Sequence, residues 1–331
     1  MNTFGRIFRV HIFGESHGES VGVVVDGVPA GLPLSIKEFL PDLERRKGGK
    51  QKGTTPRQEE DLPIFKSGLF NGLTTGAPIT ILFENNNTRS SDYEKLRAVP
   101  RPGHADFVAS KKFGGFEDYR GGGHFSGRLT VCLVAAGVIA KKLLKGLSIK
   151  AEILEIGGEK DLEKGLQKAI DQKDSVGGIV ECRVNGLPLG LGSPFFDSVE
   201  SLLSHAVFAI PAVRGIEFGT GFHSAQMFGI DHNDALVDET GKTRTNHAGG
   251  VVGGITNGNE LVFRIAIKPT SSTPKEQQTW NRETQEVGPF TVKGRHDLCI
   301  ALRVPVVLEA VTAVVLTDIY AVEQKLPAIY P

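Results

Sequence analysis

Several classes of protein are excluded by what the sequence lacks. It has no net charge, because 38 lysines and arginines balance 38 aspartates and glutamates, so no overall field attracts the protein to nucleic acid or to a membrane. Its longest apolar run, residues 129–140, is well short of the roughly 20 residues that cross a bilayer. The first ten residues lack the apolar core and the cleavage site of a secretory signal. We therefore expect a cytoplasmic protein that binds neither nucleic acid nor a membrane.

Cysteine is also scarce. The three cysteines, Cys132, Cys182 and Cys299, lie far apart among apolar neighbours, and no C-x-x-C motif occurs. An odd number of widely separated cysteines argues against a disulfide framework and against a zinc site. We predict that all three are reduced residues of the core.

Familiar nucleotide and metal motifs are missing as well. The "GKT" at 241–243 has Leu236 at the position where a phosphate-binding P-loop requires glycine. The "GGGHFSG" at 121–127 does not have the G-x-G-x-x-G spacing of a dinucleotide-binding loop. The "DHND" at 231–234 carries metal-ligating side chains, but polar loops of this kind are usually solvated turns. We predict no bound metal.

Glycine, in contrast, is abundant. The chain has 41 glycines among 331 residues and no repeat period, which indicates many turns and sites lined by backbone. Residue patterns between the glycines predict strands at 20–27, 77–85 and 260–269, and helices at 35–46, 129–145, 161–171, 196–210 and 299–324. We expect Pro41 to kink or restart the first helix and Pro305 to bend the last one. Because no linker or regular βαβ alternation occurs, the pattern predicts one α+β domain over residues 1–331.

A loop at residues 44–57 concentrates positive charge. One acid, Glu44, accompanies six basic residues, which are Arg45, Arg46, Lys47, Lys50, Lys52 and Arg57. In a neutral protein, such a loop is suited to binding phosphate and carboxylate groups. A solvated surface loop is the alternative interpretation.

Two histidines stand in short motifs of acid and base groups. The "RPGHAD" at 101–106 places His104 beside Arg101 and Asp106. A neighbouring cation disfavours the imidazolium and a carboxylate favours it, so such a histidine can be tuned to act as a general acid. The "GESHG" at 14–18 places His17 between glycines. A purely structural role is the alternative for both histidines.

Two further loops present polar groups next to predicted elements. The "KPTSS" at 268–272 follows a predicted strand and is a candidate cradle for a phosphate or for the edge of a heteroaromatic ring, although hydroxyl-rich turns are common. The "GRHD" at 294–297 places Arg295 and Asp297 before the last helix. An alternative is that Asp297 only caps that helix.

Taken together, the motifs resemble those of the chorismate synthase family. They occur in the family's order and run from the first strand into the last helix. The matching segments are "GESHG" (14–18), "TTGAPI" (74–79), "RPGHAD" (101–106), "DYRGGG" (118–123), "TNHAGGVVGGI" (245–255), "KPTSS" (268–272) and "GRHD" (294–297).

This resemblance implies a fold, a reaction and a cofactor. The fold is a β-α-β-α sandwich in which helices pack between two antiparallel sheets, and the assembly is a homotetramer. The reaction is the 1,4-anti elimination of phosphate from 5-enolpyruvylshikimate 3-phosphate, which gives chorismate in the shikimate pathway. It requires reduced FMN although there is no net redox change, and NADPH is a candidate reductant.

Roles for individual residues are implied by the same resemblance. His17 would lie beside the flavin and His104 beside the leaving phosphate, where each cation offsets developing negative charge. Asp297 would assist the reduced flavin in removing the ring proton. The positions that contact the flavin in the family correspond here to His124, Phe125, Ser126, Pro211, Ala212, Gly253, Lys268, Pro269, Thr270, Ser271, Ser272 and Arg295. The positions that bind substrate or NADPH in the family correspond to Arg45, Arg46, Lys52, Arg101 and Arg128.

At several positions the sequence departs from the family pattern. Where the family usually reads "GGGRSSARET", this chain reads "GGGHFSGRLT", so that His124 replaces arginine, Phe125 replaces serine and Leu129 replaces glutamate. His124 restores the arginine's charge only when it is protonated. The basic loop also has lysines where the family has arginines, which removes bidentate binding. These changes predict an altered affinity for flavin or substrate.

Two other functions are compatible with the same scaffold. One is an FMN-dependent reductase, which would oxidise reduced nicotinamide without a shikimate-type substrate. The other is a non-catalytic protein that binds phosphoesters, inactive because of the changes at 124–129. No insertion large enough for a reductase is evident, so we expect an external flavin reductase or another external reductant.

Overall fold

A computed structural model of the protein describes residues 2–49, 52–55, 59–86, 95–292 and 296–331. Its strands are β1 (Thr3–Phe4), β2 (Arg9–Gly14), β3 (Ser20–Asp26), β4 (Ile64–Ser67), β5 (Leu69–Phe70), β6 (Leu73–Thr74), β7 (Ile79–Glu84), β8 (Ser148–Ile156), β9 (Gly178–Asn185), β10 (Val213–Phe218), β11 (Val251–Val252), β12 (Ile255–Thr256), β13 (Leu261–Ile267), β14 (Gln277–Asn281) and β15 (Glu286–Phe290). Its α-helices are α1 (Ile36–Arg46), α2 (Lys95–Ala98), α3 (Asp106–Lys112), α4 (Thr130–Leu143), α5 (Leu162–Gln172), α6 (Val199–Val207), α7 (Gly229–His232) and α8 (Val304–Val322).

The first sheet has five antiparallel strands in the order β1-β2-β3-β7-β4. Its central strands are rich in β-branched residues, and Val21, Val23, Val25, Ile79 and Ile81 are fully buried on one face. This alternation gives the sheet an apolar side that must be covered by another layer. The strands predicted at 20–27 and 77–85 are β3 and β7.

A second sheet has four antiparallel strands in the order β10-β13-β9-β8. In β13 the alternate residues Leu261, Phe263, Ile265 and Ile267 are almost completely buried. Their period of two is the pattern from which the strand was predicted. Both sheets therefore turn an apolar face toward the interior.

Helices fill the space between the two sheets. α4 packs on the first sheet, α6 and α8 pack on the second, and α4 and α8 contact each other along their length. α1 packs against α4 and α8. Both central helices are apolar on all sides, as expected of helices enclosed by other elements. The predicted arrangement of helices between two antiparallel sheets is confirmed, and the α+β class with it.

The stretch Ile300–Val322 is long and apolar enough to cross a membrane by length and composition alone. Within the protein, however, 78% of its most apolar window is buried. It is the central helix of the core.

The three cysteines are buried and free, and burial raises the pKa of Cys132 and Cys182 to about 12.

The helix predicted to kink or restart at Pro41 does not restart there, and the bend predicted at Pro305 is replaced by a helix start. α1 runs without interruption through Pro41 and begins with the predicted capping box of Ser35 and Glu38. The last helix does not bend at Pro305 but begins there, after a 3₁₀ turn at Ile300–Arg303. Proline is well tolerated in the first helical turn, because the amide hydrogen that it lacks has no intrahelical acceptor there.

Candidate functional site

A cavity of about 660 Å³ opens beside the N-terminal half of α8. This volume lies within the range of sites that bind small molecules and cofactors. One side is apolar and is formed by successive turns of α8 through Val304, Val307, Val311 and Val314. The rest of the wall includes residues of the polar loops at 101–105, 121–130 and 268–272. The cavity thus combines an apolar face with a charged rim.

Three glycines, Gly121 to Gly123, shape the loop before α4. All three have positive φ values, between 53° and 82°, which L-residues with side chains rarely adopt. A Cβ atom on Gly121 would lie 2.1 Å from Nδ1 of His17, and one on Gly122 would lie 3.1 Å from Cε1 of His104. The missing side chains therefore allow two imidazole rings to approach the same backbone segment.

His104 lines the cavity and belongs to a charged cluster. Its Nδ1 lies 2.6 Å from Oδ1 of Asp106 and 3.1 Å from Nη2 of Arg101. Because a guanidinium can only donate, the carboxylate is the group that accepts the Nδ1 proton. This assignment of the tautomer leaves Nε2 as the ring nitrogen available to a ligand.

Asp106 is held in its ionised form by this cluster. Burial alone would raise the pKa of its carboxyl, but hydrogen bonds from Arg101 and His104 outweigh burial and lower the pKa far below its usual range. Arg101 itself is buried and binds the carboxylate through Nε at 2.7 Å and Nη2 at 2.8 Å. Asp106 is therefore a permanent anion that orients both His104 and Arg101.

The segment 268–272 is fastened to the loop that carries His104. Nζ of Lys268 donates to the carbonyl oxygen of Gly103 at 2.7 Å, and Oγ of Ser271 donates to the same oxygen at 2.8 Å. Arg101 reaches Oγ of Ser272 at 3.3 Å. Oγ1 of Thr270 is buried and has no hydrogen-bond partner among the residues that the structure describes. An orphaned hydroxyl in a cavity wall is suited to a ligand.

Two buried arginines share one carboxylate in another part of the wall. Nη2 of Arg46 donates to Oδ2 of Asp61 at 2.7 Å, and Nη1 of Arg128 donates to Oδ1 of the same residue. Burial would raise the pKa of Asp61, but the charges of Arg46 and Arg128 outweigh this effect and lower it. Burial also lowers the pKa of Arg46 to about 10, which still leaves its guanidinium charged at neutral pH. All three side chains line the cavity.

Asp297 lies in the wall near the start of α8. Its Oδ1 accepts the backbone N–H of Thr55 at 2.9 Å, and its Oδ2 accepts Nη1 of Arg303 at 3.1 Å. The alternative that Asp297 caps the last helix does not hold, because the residues that precede the 3₁₀ turn and α8 are Cys299 and Arg303. Its carboxylate is instead positioned by two separate loops.

Residues that depart from the family pattern also lie at the cavity. His124 is fixed by a hydrogen bond of 2.8 Å between its Nδ1 and the carbonyl oxygen of Gly14. Phe125 is 42% exposed at the rim and its ring lies 6.4 Å from that of Phe113. Leu129, the third substituted residue, also lines the cavity, whereas Ser126, which matches the family pattern, caps the short turn that leads into α4. The substituted side chains therefore remain part of the wall.

Most of the predicted site residues converge on this cavity. The wall contains Arg46, Arg101, His104, His124, Phe125, Ser126, Arg128, Pro211, Ala212, Lys268, Pro269, Thr270, Ser271, Ser272 and Asp297. Ala212 has a φ of 73°, a strained value of the kind found at functional sites.

Four predicted residues do not line the cavity. His17 lies behind Gly121, and Gly253 is exposed in the turn between β11 and β12.

The other two residues outside the wall are Arg45 and Lys52. They line a second groove of about 1080 Å³. Arg45 forms a bidentate pair with Glu309, and Nζ of Lys52 donates to Gln167 at 2.8 Å. Among the other predicted cations, Arg295, Lys50 and Arg57 lie outside the described residues.

Several wall residues were not predicted as part of the site. Asp61 lies between Arg46 and Arg128, and Arg303 pairs with Asp297. His205 and His296 line the cavity as well. Asp106 was noted beside His104 but was not assigned to the site. The signal for Asp61 was its place in the acidic "EED" at 59–61, directly after the cation-rich loop. No local pattern distinguishes Arg303 or His205 from ordinary helix residues.

Comparisons with known proteins agree with this geometry. The sequence model of the family described as chorismate synthase matches residues 8–321. A chorismate synthase from Chitinophaga pinensis is 72% identical over 326 residues, which cover 98% of each chain, and one from Dehalococcoides mccartyi is 43% identical with 96% of each chain covered. A solved structure titled "Crystal Structure of Chorismate Synthase" has the same fold, with a TM-score of 0.73 at 24% identity over 97% of this chain and 93% of that one. From the family match and the identity to these relatives, the chain belongs to the chorismate synthase family of carbon–oxygen lyases in the shikimate pathway.

Proposed function

We propose that the protein converts 5-enolpyruvylshikimate 3-phosphate to chorismate by a 1,4-anti elimination that requires reduced FMN. In this reaction a ring C–H bond and the C–O bond to phosphate break, and the electrons of the C–H bond form the new conjugated double bond. The observation that carries the proposal is the cluster of Arg101, His104 and Asp106 at a cavity lined by further cations. It offers a proton donor and fixed positive charge to a leaving phosphate.

The charge of the wall is complementary to this substrate. The substrate carries a phosphate and two carboxylates, so its binding requires several cations. Arg46, Arg101, Arg128, Lys268 and Arg303 all line the cavity. Although the protein as a whole is neutral, these residues make the site a local region of positive potential.

The cavity also fits a flavin. Its apolar side along α8 is suited to a planar ring system, and the orphaned hydroxyl of Thr270 is suited to a polar ring edge or a phosphate. The residues that would hold FMN are His124, Phe125, Ser126, Pro211, Ala212 and the segment 268–272. Reduced FMN, when bound, supplies an electron-rich ring that assists loss of the proton and of the phosphate.

His104 is the proposed general acid. With Nδ1 held by Asp106, its Nε2 donates a hydrogen bond or a proton to the phosphate oxygen as the C–O bond breaks. Arg101 stabilises the same developing charge. Asp297, fixed by Thr55 and Arg303, is the proposed carboxylate that assists removal of the ring proton.

His17 takes a less direct part in this proposal. It is only 7% exposed, and its ring packs against Gly121, which itself lines the cavity. A positively charged ring at this place would stabilise negative charge in the cavity across the glycine backbone. Because Gly121 has no side chain, the ring of His17 lies close to the cavity.

We further propose that the protein is a homotetramer. Phe195, Phe196, Phe222, Phe228 and Ile230 are each at least 79% exposed. Side chains of this size in such numbers are typical of surfaces that are buried on association. Light scattering at several concentrations tests the assembly, and a mass close to one chain of 35.6 kDa would contradict it.

The setting of the reaction is also proposed. We expect the protein to work in the cytoplasm and to receive reduced FMN from an external flavin reductase. NADPH is the proposed source of reducing equivalents, with Arg45 and Lys52, which share the second groove, as the candidate cations for it. A test is the anaerobic oxidation of NADPH by the purified protein with FMN, which should be slow unless a flavin reductase is added.

The decisive experiment measures phosphate release under anaerobic conditions. Purified protein is mixed with 5-enolpyruvylshikimate 3-phosphate and chemically reduced FMN, with oxidised FMN as the control. Phosphate and chorismate should form in equal amounts with reduced FMN only. Tight binding of the substrate without phosphate release would contradict the proposal, and release with oxidised FMN would contradict the cofactor requirement.

A further inference from the structure

Asp61 is a buried acid in a wall otherwise dominated by cations. Its side chain has no solvent exposure, and those of Arg46 and Arg128 are only 3% and 4% exposed. The three residues come from the end of α1, the segment before β4 and the turn before α4. They therefore form one charged unit with a net charge of +1, separate in sequence from the cluster around His104.

Further hydrogen bonds hold both guanidiniums of this unit in place. Arg46 also reaches Oγ1 of Thr130 at 3.2 Å, while Arg128 donates from Nε to Asn85 at 3.0 Å and from Nη2 to the carbonyl oxygen of Glu84 at 3.1 Å. A guanidinium has five N–H groups. Each arginine therefore keeps N–H groups that are not used by these bonds, and both arginines line the cavity.

Stability alone is a weak reason for this arrangement. Burying an ion pair costs much of the energy that the pairing returns, and apolar side chains often serve a core as well. Asp61 also has a φ of 52°, a left-handed value that is costly for most residues. Because the strained backbone and the buried charge occur together at a cavity wall, the arrangement points to binding.

We propose that Asp61 is a positioning residue that aims Arg46 and Arg128 at the carboxylates of the substrate. Without the shared carboxylate, two neighbouring guanidiniums would repel each other and turn apart. With it, both present their remaining N–H groups in one fixed direction, which suits planar carboxylate groups. The inference rests on the proposed function, since it takes its substrate from there.

This role predicts which kinetic constant depends on Asp61. The carboxylates of the substrate stay charged throughout the reaction, so contacts to them contribute about equally to the ground state and the transition state. In Asp61→Asn the side chain keeps its shape and tolerates the left-handed backbone, but the anion is lost. KM for the substrate should rise about 10- to 100-fold while kcat changes less than about threefold.

The experiment compares the wild-type protein, Asp61→Asn and the control Asp197→Asn. Asp197 also pairs with an arginine, Arg6, but on the surface, with side-chain exposures of 39% and 58%. Phosphate release with reduced FMN gives KM and kcat, and calorimetry gives the dissociation constants of the substrate and of FMN. Only Asp61→Asn should weaken substrate binding, while FMN affinity stays near that of the wild type. Its melting temperature should also fall, because two buried guanidiniums lose their anion, so the ligand affinities are compared at a temperature where both proteins are folded.

Other outcomes are equally informative. An unchanged KM in a folded Asp61→Asn, or an equal loss of substrate and FMN affinity, would overturn the inference. If Asp61→Asn does not fold, Asn85→Ala removes a support of Arg128 from outside the cavity. Because Asn85 also holds the loop of His17 through Glu15 and Gly18, the readout is the dissociation constant of the substrate and not kcat. This constant should rise about threefold or more, and no change would overturn the inference. If the wild-type protein bound the substrate but released no phosphate, the proposed function would fail, and the dissociation constants would still decide the role of Asp61.

Discussion

At the scale of single residues, a hydrogen bond between His104 and Asp106 determines which ring nitrogen of His104 faces the cavity. The two residues are two positions apart, so their contact depends mainly on the local turn at the start of α3. Arg101 completes the cluster from the same short segment. Local sequence was therefore sufficient to identify this part of the site, although it did not show where the ring points.

Replacing His104 by alanine should slow phosphate release and leave flavin binding intact. Loss of a general acid typically lowers kcat about 10²- to 10⁴-fold. Single-turnover phosphate release and flavin fluorescence measure the two effects separately. His223→Ala, a change of an exposed histidine outside the cavity, serves as the control. If His104→Ala lost FMN binding, the assignment of His104 to the substrate and not to the flavin would be wrong.

At the scale of elements, the glycine loop at 121–123 brings His17 and His104 to one place. The two histidines come from segments far apart in the chain, and each packs against a different glycine of the loop. The sequence showed the three glycines, but it did not show which side chains would occupy the space beside them. This depends on the path of the loop that precedes α4 and on how it meets the segment after β2.

Gly122→Ala should impair activity more than stability. At its φ of 82° a Cβ atom costs on the order of 1 kcal/mol or more, and it would lie 3.1 Å from the ring of His104. We expect kcat to fall at least about tenfold as the ring shifts. Gly146→Ala is a matched control, because its φ is 84° and its Cβ would meet no atom within 4 Å. Equal activity in the two variants would argue against a role of Gly122 in placing His104.

The contact between α4 and α8 depends on another glycine. A Cβ atom on Gly137 would lie 2.3 Å from Cβ of Ala310. Alanine usually stabilises a helix interior relative to glycine by about 0.5–1 kcal/mol. Here Gly137→Ala should instead destabilise the protein by about 1–3 kcal/mol, because it overpacks the centre of the core. Urea unfolding measures this change, and a higher midpoint than that of the wild type would contradict the close approach of the two helices.

At the scale of the whole molecule, buried carboxylates link the folded state to pH. The pKa values of Asp61 and Asp106 are lowered by arginine partners, although burial opposes this effect. The pKa of Glu309 in α8 is lowered in the same way by Arg45 and Lys141. Groups with a lowered pKa in the folded state stabilise it above their unfolded pKa, near 4, and this contribution is lost as the pH falls.

The melting temperature should therefore fall as the pH is lowered below about 5. Glu309→Gln should melt at a lower temperature than the wild type at pH 7, because Arg45 and Lys141 lose their shared anion. The difference between the two proteins should shrink as the pH falls below about 4.5, the ordinary pKa of a glutamate. There the unfolded chain takes up a proton that folded Glu309, with its lowered pKa, does not yet bind. Calorimetry at pH 7, 5, 4 and 3.5 measures the difference in melting temperature between the two proteins. If this difference did not change with pH, loss of the charge of Glu309 would not be its cause.

The sequence by itself determined the elements of the core and the family. Runs of β-branched residues located β3 and β7, and the alternation of apolar residues located β13, because burial selects such residues locally. A continuous apolar run located α4, and a capping box located α1. Seven motifs in order identified the family, and the capping box at Ser35 was visible from its spacing. All of these signals lie within short segments of chain.

Only the tertiary structure decided which distant side chains meet. Asp61 is separated by 15 residues from Arg46 and by 67 from Arg128, and their contact depends on how α1, β4 and α4 are placed. The same placement puts His17 behind Gly121 and leaves Gly253 away from the cavity. Such contacts depend on strand register and on loop paths. Both result from the packing of the whole core and cannot be predicted from any one segment.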